Sequence, residues 1–211
     1  MLEFAKKLAK RGGKLALGYY KKGVKAKTKS TPDDLITVAD RAVSDFIIKE
    51  IKKKFPDHGI ISEEEEKPYN PGAEYVWVID PIDGTRNFAN HIAIWCVMIG
   101  LIKNGEPEIG VVYDAINNEL FYAKKGHGAY LNGEKIKVNN HDNVQYAFLS
   151  YSSGVVDKNS PYSPGKFQEF RRFYNNLMGD KGHWIRNLCT MLELCHLAAG
   201  RIDAVIKNSG M

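Results

Sequence analysis

Apolar positions first recur at helical spacing near the start of the chain. Leu8, Ala9, Leu15, Ala16 and Tyr19 share one side of a helix expected over residues 2–21, although Gly12 and Gly13 lower the propensity of its middle. A lysine-rich stretch, 21–29, and a turn-like Ser-Thr-Pro-Asp-Asp follow, either a solvated loop or a mobile basic lid over an anionic site. Strand-like Ile36-Thr-Val-Ala then leads into a second amphipathic helix, 41–55, carrying Val43, Phe46, Ile47, Ile51 and Phe55 on one face and closed by Pro56. From residue 58 the period changes to that of strands: 58–62, 75–79, 94–102, 108–113 and 119–123, separated by turn pairs such as Asn104-Gly105, Asn117-Asn118 and Asn132-Gly133. Residues 75–138 therefore predict an antiparallel meander rather than an alternating parallel α/β sheet. Beyond a soft boundary at 139–145 come a strand at 146–150, a polar loop at 152–165, helices at 166–178 and 188–199, the latter stopped by Gly200, and a strand at 202–206.

Composition changes this picture little. The 211 residues suffice for one sizeable core or two small layers, and 44% hydrophobic with 26% charged residues is ordinary for a globular protein. No apolar run is long enough to span a bilayer and residues 1–10 lack the apolar centre of a signal peptide, so the expected location is cytoplasmic, with no membrane partner. Cys96, Cys189 and Cys195 have no metal-ligand spacing and read as small buried residues in a reducing compartment. The net charge of +5 suits a small anion, and no nucleic-acid-binding motif accompanies the lysines.

The candidate chemistry lies at the ends of the strand candidates. Asp40 follows the first, where taken alone it is a helix cap or first-turn acid. Glu63 opens a run of four glutamates after the second, and Asp80 and Asp83 follow the third with Pro81 and Gly84 shaping the bend. Four carboxylates at three such ends, with the carbonyl of Ile82 between Asp80 and Asp83, are hard oxygen donors for hard cations. Two such ions about 4 Å apart clamp a phosphate and activate a water for in-line attack. Thr85 begins a helix whose first amides face outward as an anion site.

On these residues the chain resembles the inositol monophosphatase family, magnesium-dependent and lithium-sensitive phosphomonoesterases that include archaeal fructose-1,6-bisphosphatases. The resemblance is carried by Lys29-Ser-Thr-Pro-Asp-Asp-Leu-Ile-Thr-Val-Ala-Asp40, Phe55-Pro-Asp-His-Gly-Ile-Ile-Ser-Glu-Glu64, Trp77-Val-Ile-Asp-Pro-Ile-Asp-Gly-Thr-Arg-Asn-Phe88 and Gly110-Val-Val-Tyr-Asp114. It implies an α+β fold, a layered αβαβα sandwich with residues 1–140 forming a metal- and phosphate-binding domain and 141–211 a partial second α/β domain lacking its C-terminal part. It implies Mg2+ held by Glu63, Asp80, the Ile82 carbonyl and Asp83. Asp40 and Thr85, with Glu63, would orient and help deprotonate the attacking water. Asp83 and the Gly84 and Thr85 amides would contact substrate and phosphate, and Lys29 would approach from the lid. The implied substrate is a small sugar or polyol phosphate such as inositol monophosphate or fructose 1,6-bisphosphate, and family members are commonly homodimers.

Two departures bear on substrate. Leu188-Cys189-Thr190 stands where the family usually has a Gly-Ser pair lining the substrate pocket, and Lys207 stands where some members have a substrate-binding glutamate. A lysine there favours a second phosphate. The family also continues to a Trp-Asp motif that supplies another metal ligand, and residues 1–211 do not contain it. Residues 1–211 are then either a piece of a longer polypeptide or a naturally short protein, and a second reading is a truncated, catalytically weakened member that binds phosphate ligands or regulates. Haloacid-dehalogenase-like phosphatases place one residue between their two aspartates, whereas two intervene between Asp80 and Asp83.

Overall fold

The computed structural model describes residues 1–28, 35–143, 146–153, 172, 175–176, 184–188 and 190–208. Helix α1 (Leu2–Lys22) leads through two short paired strands, β1 (Lys27–Thr28) and β2 (Leu35–Ile36), into helix α2 (Val38–Lys54). Both helices pack on one face of a seven-stranded sheet formed in chain order by β3 (Gly59–Ser62), β4 (Tyr75–Asp83), β5 (Cys96–Lys103), β6 (Glu106–Asp114), β7 (Glu119–Lys124), β8 (Gly128–Leu131) and β9 (Glu134–Ile136). β3 runs parallel to β4, and every later pair is antiparallel, so the expected meander is present with one parallel strand added at its edge. A short helix α3 (Thr85–Ala89) interrupts the passage from β4 to β5.

The second sheet has three parallel strands in the order β11 (Trp184–Arg186), β10 (Phe148–Ser153), β12 (Ala204–Asn208). Helix α4 (Leu192–Ala198) lies between the sheets, its Leu192 packed with Cys96 and Phe121 on the face of the large sheet opposite α1 and α2. The layers are thus helices, sheet, helix, sheet, in a mixed α+β architecture. The expected helix at 166–178 falls mostly outside the described residues.

The main core lies between the first helical layer and the large sheet. Leu8, Ala9 and Ala16 of α1 and Val43, Ile47 and Ile51 of α2 meet Trp77, Ile79, Val97, Ile99 and Val111 from the strands, all buried. The Gly12-Gly13 pair has a packing reason that sequence periodicity does not reveal. A Cβ on Gly13 would stand 2.4 Å from the Tyr113 ring, and one on Gly12 would stand 3.2 Å from Ile47. The glycines let α1 sit close to both neighbours. Tyr113 cannot yield easily, because its hydroxyl donates to Asn118 Oδ1 at 3.0 Å. Gly13→Ala gains about 1 kcal/mol of helix propensity but incurs an overpacking cost of about 1–3 kcal/mol. Urea unfolding is expected to show net destabilisation; a stabilised variant would mean the ring moves freely.

Several element boundaries differ from the pattern-based expectation, each for a local reason. Residues 38–40 are not strand: Thr37 caps α2, its hydroxyl accepting from the Ala39 N–H at 3.1 Å, so the helix begins three residues early. β4 does not end at Ile79 but continues through Asp83, with a register break against β5 between Asp80 and Asp83. α4 begins at Leu192 rather than 188, where the Leu192 N–H donates to the Thr190 hydroxyl at 3.1 Å.

Candidate active site

The irregularity in β4 makes the site. Asp80 Oδ1 accepts the Ile82 N–H at 3.1 Å, an Asx-type turn over Pro81 that moves Asp83 out of step with the ladder. Gly84 then turns the chain with φ 92°, in the left-handed region, and caps the start of α3. A side chain at Gly84 would also stand 2.7 Å from Thr190 Cγ2 and 3.1 Å from the Ile94 carbonyl. Both conformation and space therefore require glycine here. The Gly84 and Thr85 amides precede the first bond of α3, Phe88 N–H to the Gly84 carbonyl.

Two groups of site residues come together around this turn. The first is Glu63 with Asp80. Glu63 follows β3, and its N–H donates to the Ile79 carbonyl at 3.1 Å, extending the parallel pairing to the point where β4 bends. The Asp80 carboxyl is pushed up to about 9 by burial, then by the neighbouring charges of Glu63 and Asp83 and a hydrogen bond with Glu63. The second group is Asp40, Thr85 and the Ile82 carbonyl. Asp40 is 1% exposed. Its Oδ2 accepts from the Thr37 N–H at 2.7 Å and the Thr37 hydroxyl at 2.5 Å, while Oδ1 accepts from the Thr85 hydroxyl at 3.3 Å. Asp40 is thus both a capping-box residue of α2 and the partner of Thr85. Burial raises its carboxyl above the usual range, against the lowering effect of the Thr37 and Thr85 hydrogen bonds. The Thr85 hydroxyl also lies 3.1 Å from the Ile82 carbonyl, and one proton serves these two acceptors.

Asp83 faces a different set of donors. Its Oδ2 accepts the Met191 N–H at 2.5 Å and the Cys96 thiol at 3.3 Å. Burial, then the Asp83 carboxylate, push the Cys96 thiol well above its ordinary value, which keeps it a donor. Glu64 is half-buried, and Glu65 and Glu66 are exposed. Lys29 and Cys189 lie outside the described residues. Lys207 lies on β12 opposite Ser152 of β10, and its side chain is outside the described structure. Asn87, Cys96 and the Met191 amide were not marked by sequence reasoning. Asn87 stood inside the signature stretch, but the other two carry no motif.

The donors fit a hard divalent cation. Carboxylates of Glu63, Asp80 and Asp83 with the Ile82 carbonyl form an all-oxygen set, and the Asp80 carboxyl, raised first by burial and then by the Glu63 and Asp83 charges, is one whose ionised form a cation would favour. Among the described residues no three carboxylate, imidazole or thiol groups already stand together as a ligand cage. Waters and substrate phosphate would have to complete the shell of any magnesium ion these donors begin to hold. No helix among the described residues is long and apolar enough to cross a membrane.

The chain is 36% identical over 204 residues to the Nus factor SuhB of Pasteurella multocida, covering 96% of this chain and 74% of that one. It is 34% identical over 209 residues to the inositol-1-monophosphatase of Bacillus subtilis, covering 97% and 75% respectively. Among solved structures, the Thermotoga maritima IMPase superposes with TM-score 0.82 at 30% identity, covering 98% of this chain and 75% of that one. An inositol monophosphatase–fructose 1,6-bisphosphatase superposes with TM-score 0.73 at 31% identity, covering 96% and 74%. The model of the inositol monophosphatase family matches residues 1–211. The chain belongs to the inositol monophosphatase family, a family of phosphatases.

Proposed function

We propose that the protein is a magnesium-dependent phosphomonoesterase acting on a small sugar or polyol phosphate. The observation that carries this reading is the Thr85 hydroxyl held between Asp40 Oδ1 and the Ile82 carbonyl, beside the Glu63–Asp80 carboxylate pair. Glu63, Asp80, the Ile82 carbonyl and Asp83 would hold the magnesium. When bound, magnesium supplies positive charge to the phosphoryl oxygens and acidifies a water. Thr85 gives its single proton to Asp40, which leaves its oxygen to accept from the attacking water and so to aim it. Asp40, with its carboxyl raised by burial, is suited to share that proton, and Glu63 assists. The Gly84 and Thr85 amides would hold phosphate oxygens at the turn.

Residues 1–140 supply this chemistry in our reading, and 141–211 the substrate side. Inositol monophosphate is the first candidate substrate, supported by the similarity to inositol-1-monophosphatase. Fructose 1,6-bisphosphate is the second, supported by Lys207 as a second-phosphate ligand and by the bifunctional structural relative. Lys29 would close over the phosphate, and the active form would be a homodimer. The test is phosphate release with magnesium from inositol monophosphate, fructose 1,6-bisphosphate and a nucleotide 3′-phosphate, with and without lithium. Lithium-sensitive release from either of the first two is expected; no release from any of them contradicts the proposal. The similarity to a Nus factor favours one alternative, a phosphate-binding regulator with weak or no turnover. Calorimetric phosphate binding without release would select it.

A further inference from the structure

The signature turn is tied to the second sheet through one side chain. Asn87 lies half-buried on α3, and its Nδ2 donates to the Ile94 carbonyl at 2.9 Å and the Leu188 carbonyl at 3.0 Å. Both partners are acceptors, so only the NH2 edge of this amide can face them. Leu188 belongs to the segment between β11 and α4. Three residues on, Met191 places its N–H on Asp83 Oδ2, and between them Thr190 packs against Gly84. Ile94 leads into Cys96, which pairs with Asp83 across the β4–β5 ladder and donates its thiol to the same oxygen. The two donors on Oδ2 therefore arrive from the two segments that Asn87 grips.

We propose that Asn87 is a positioning residue: by clamping Leu188 and Ile94 to α3 it holds the Met191 amide and Cys96 thiol on Asp83 Oδ2, and so sets the orientation in which Asp83 meets the cation. The inference rests on the metal-site reading above. A carboxylate on a strand irregularity has two soft side-chain torsions, and donors at one oxygen fix its plane and hence the direction of the other. Groups that orient metal ligands through hydrogen bonds typically change metal affinity or activity by about 10- to 100-fold when removed. Asn87 does not touch the reacting atoms in this account; it acts through Asp83.

The test uses the full chain with Asn87→Ala and two readouts. Magnesium affinity by calorimetry is expected to weaken about tenfold or more. Hydrogen exchange at the Met191 amide is expected to speed about tenfold or more, with the buried strands β4–β6 unchanged. Faster exchange with unchanged magnesium affinity would make Asn87 merely structural and overturn the proposal, as would no change in either. Met191→Pro is the second variant: Met191 has φ −70°, which proline can adopt, and proline removes the N–H itself. It should weaken magnesium binding with Asn87 intact, and unchanged affinity there also overturns the proposal. If the unaltered protein binds no magnesium, the proposed function fails by itself. Exchange at Met191 then still decides the clamp: acceleration in Asn87→Ala supports it and no change refutes it.

Discussion

Asp83→Asn is expected to lower magnesium-dependent phosphate release by about 10³-fold, the scale associated with losing one electrostatic contact made to the transition state. The substitution preserves shape: asparagine presents an oxygen to the Met191 N–H and Cys96 thiol that Asp83 accepts in the native protein. What it removes is charge. The charge of Asp83 reaches Asp80 across the turn. The measurement is steady-state phosphate release at saturating magnesium, alongside thermal unfolding to show that the fold survives. A folded variant with undiminished turnover would remove Asp83 from the site.

The second large effect is on stability, and its direction follows from Asp80. Burial, with the Glu63 and Asp83 charges, pushes its carboxyl up to about 9 from an ordinary 3.8. Between those values the folded state keeps a proton that the unfolded state has released. Unfolding free energy therefore falls as pH rises across the window from about 4 to about 9. Below that window both states are protonated and this contribution is absent; above it the full destabilisation is in place. Metal-free protein should thus lose melting temperature relative to Asp80→Asn as pH is raised, because asparagine has no proton to retain. Saturating magnesium should reverse the loss most at the alkaline end, where the ionised ligand is ready. Parallel melting curves for the two proteins across this range would contradict it. Asp40 titrates in the same direction for the same first cause, burial, so the comparison must be made against Asp80→Asn and not against pH alone.

Much of the fold was legible because the patterns were local. Strands 75–136 alternate between the core beneath α1 and α2 and the opposite face, and the Asn104-Gly105 and Asn132-Gly133 turns have the positive φ their residue types allow. Of the acidic and hydroxyl groups that the sequence sets at strand and turn ends, the fold brings Asp40 to Thr85 and Glu63 to Asp80. Harder to read was how one residue serves two structures. Asp40 looked like either a cap or a site residue, and the capping box and the Thr85 contact occupy its two different oxygens. Asp80 looked like a residue beyond a strand end, yet its Asx turn keeps β4 going through Pro81, a residue that usually stops pairing.

Long-range contacts left almost no trace in the sequence. Asn87 meets Leu188 across 101 positions and Asp83 meets Met191 across 108, and a backbone amide has no sequence signature at all. Glu193 is the other surprise. Within an apolar helical pattern it is 0% exposed, and its Oε2 accepts the Ser150 hydroxyl at 2.8 Å, joining α4 to β10. Nothing in the spacing of residues 188–199 marks that position as polar and buried, because a buried hydrogen-bonded carboxylate occupies the same helical register as a leucine.

Magnesium titration calorimetry in buffers of different protonation enthalpy tests the central claim most directly, because it reads ligand identity without relying on turnover. Near pH 7.5 magnesium binding by the unaltered protein should release protons, because burial and the Glu63 and Asp83 charges favour a proton on Asp80, and that release should fall in Asp80→Asn together with most of the affinity. Magnesium binding that is independent of both pH and Asp80, or no binding at all, would contradict the account.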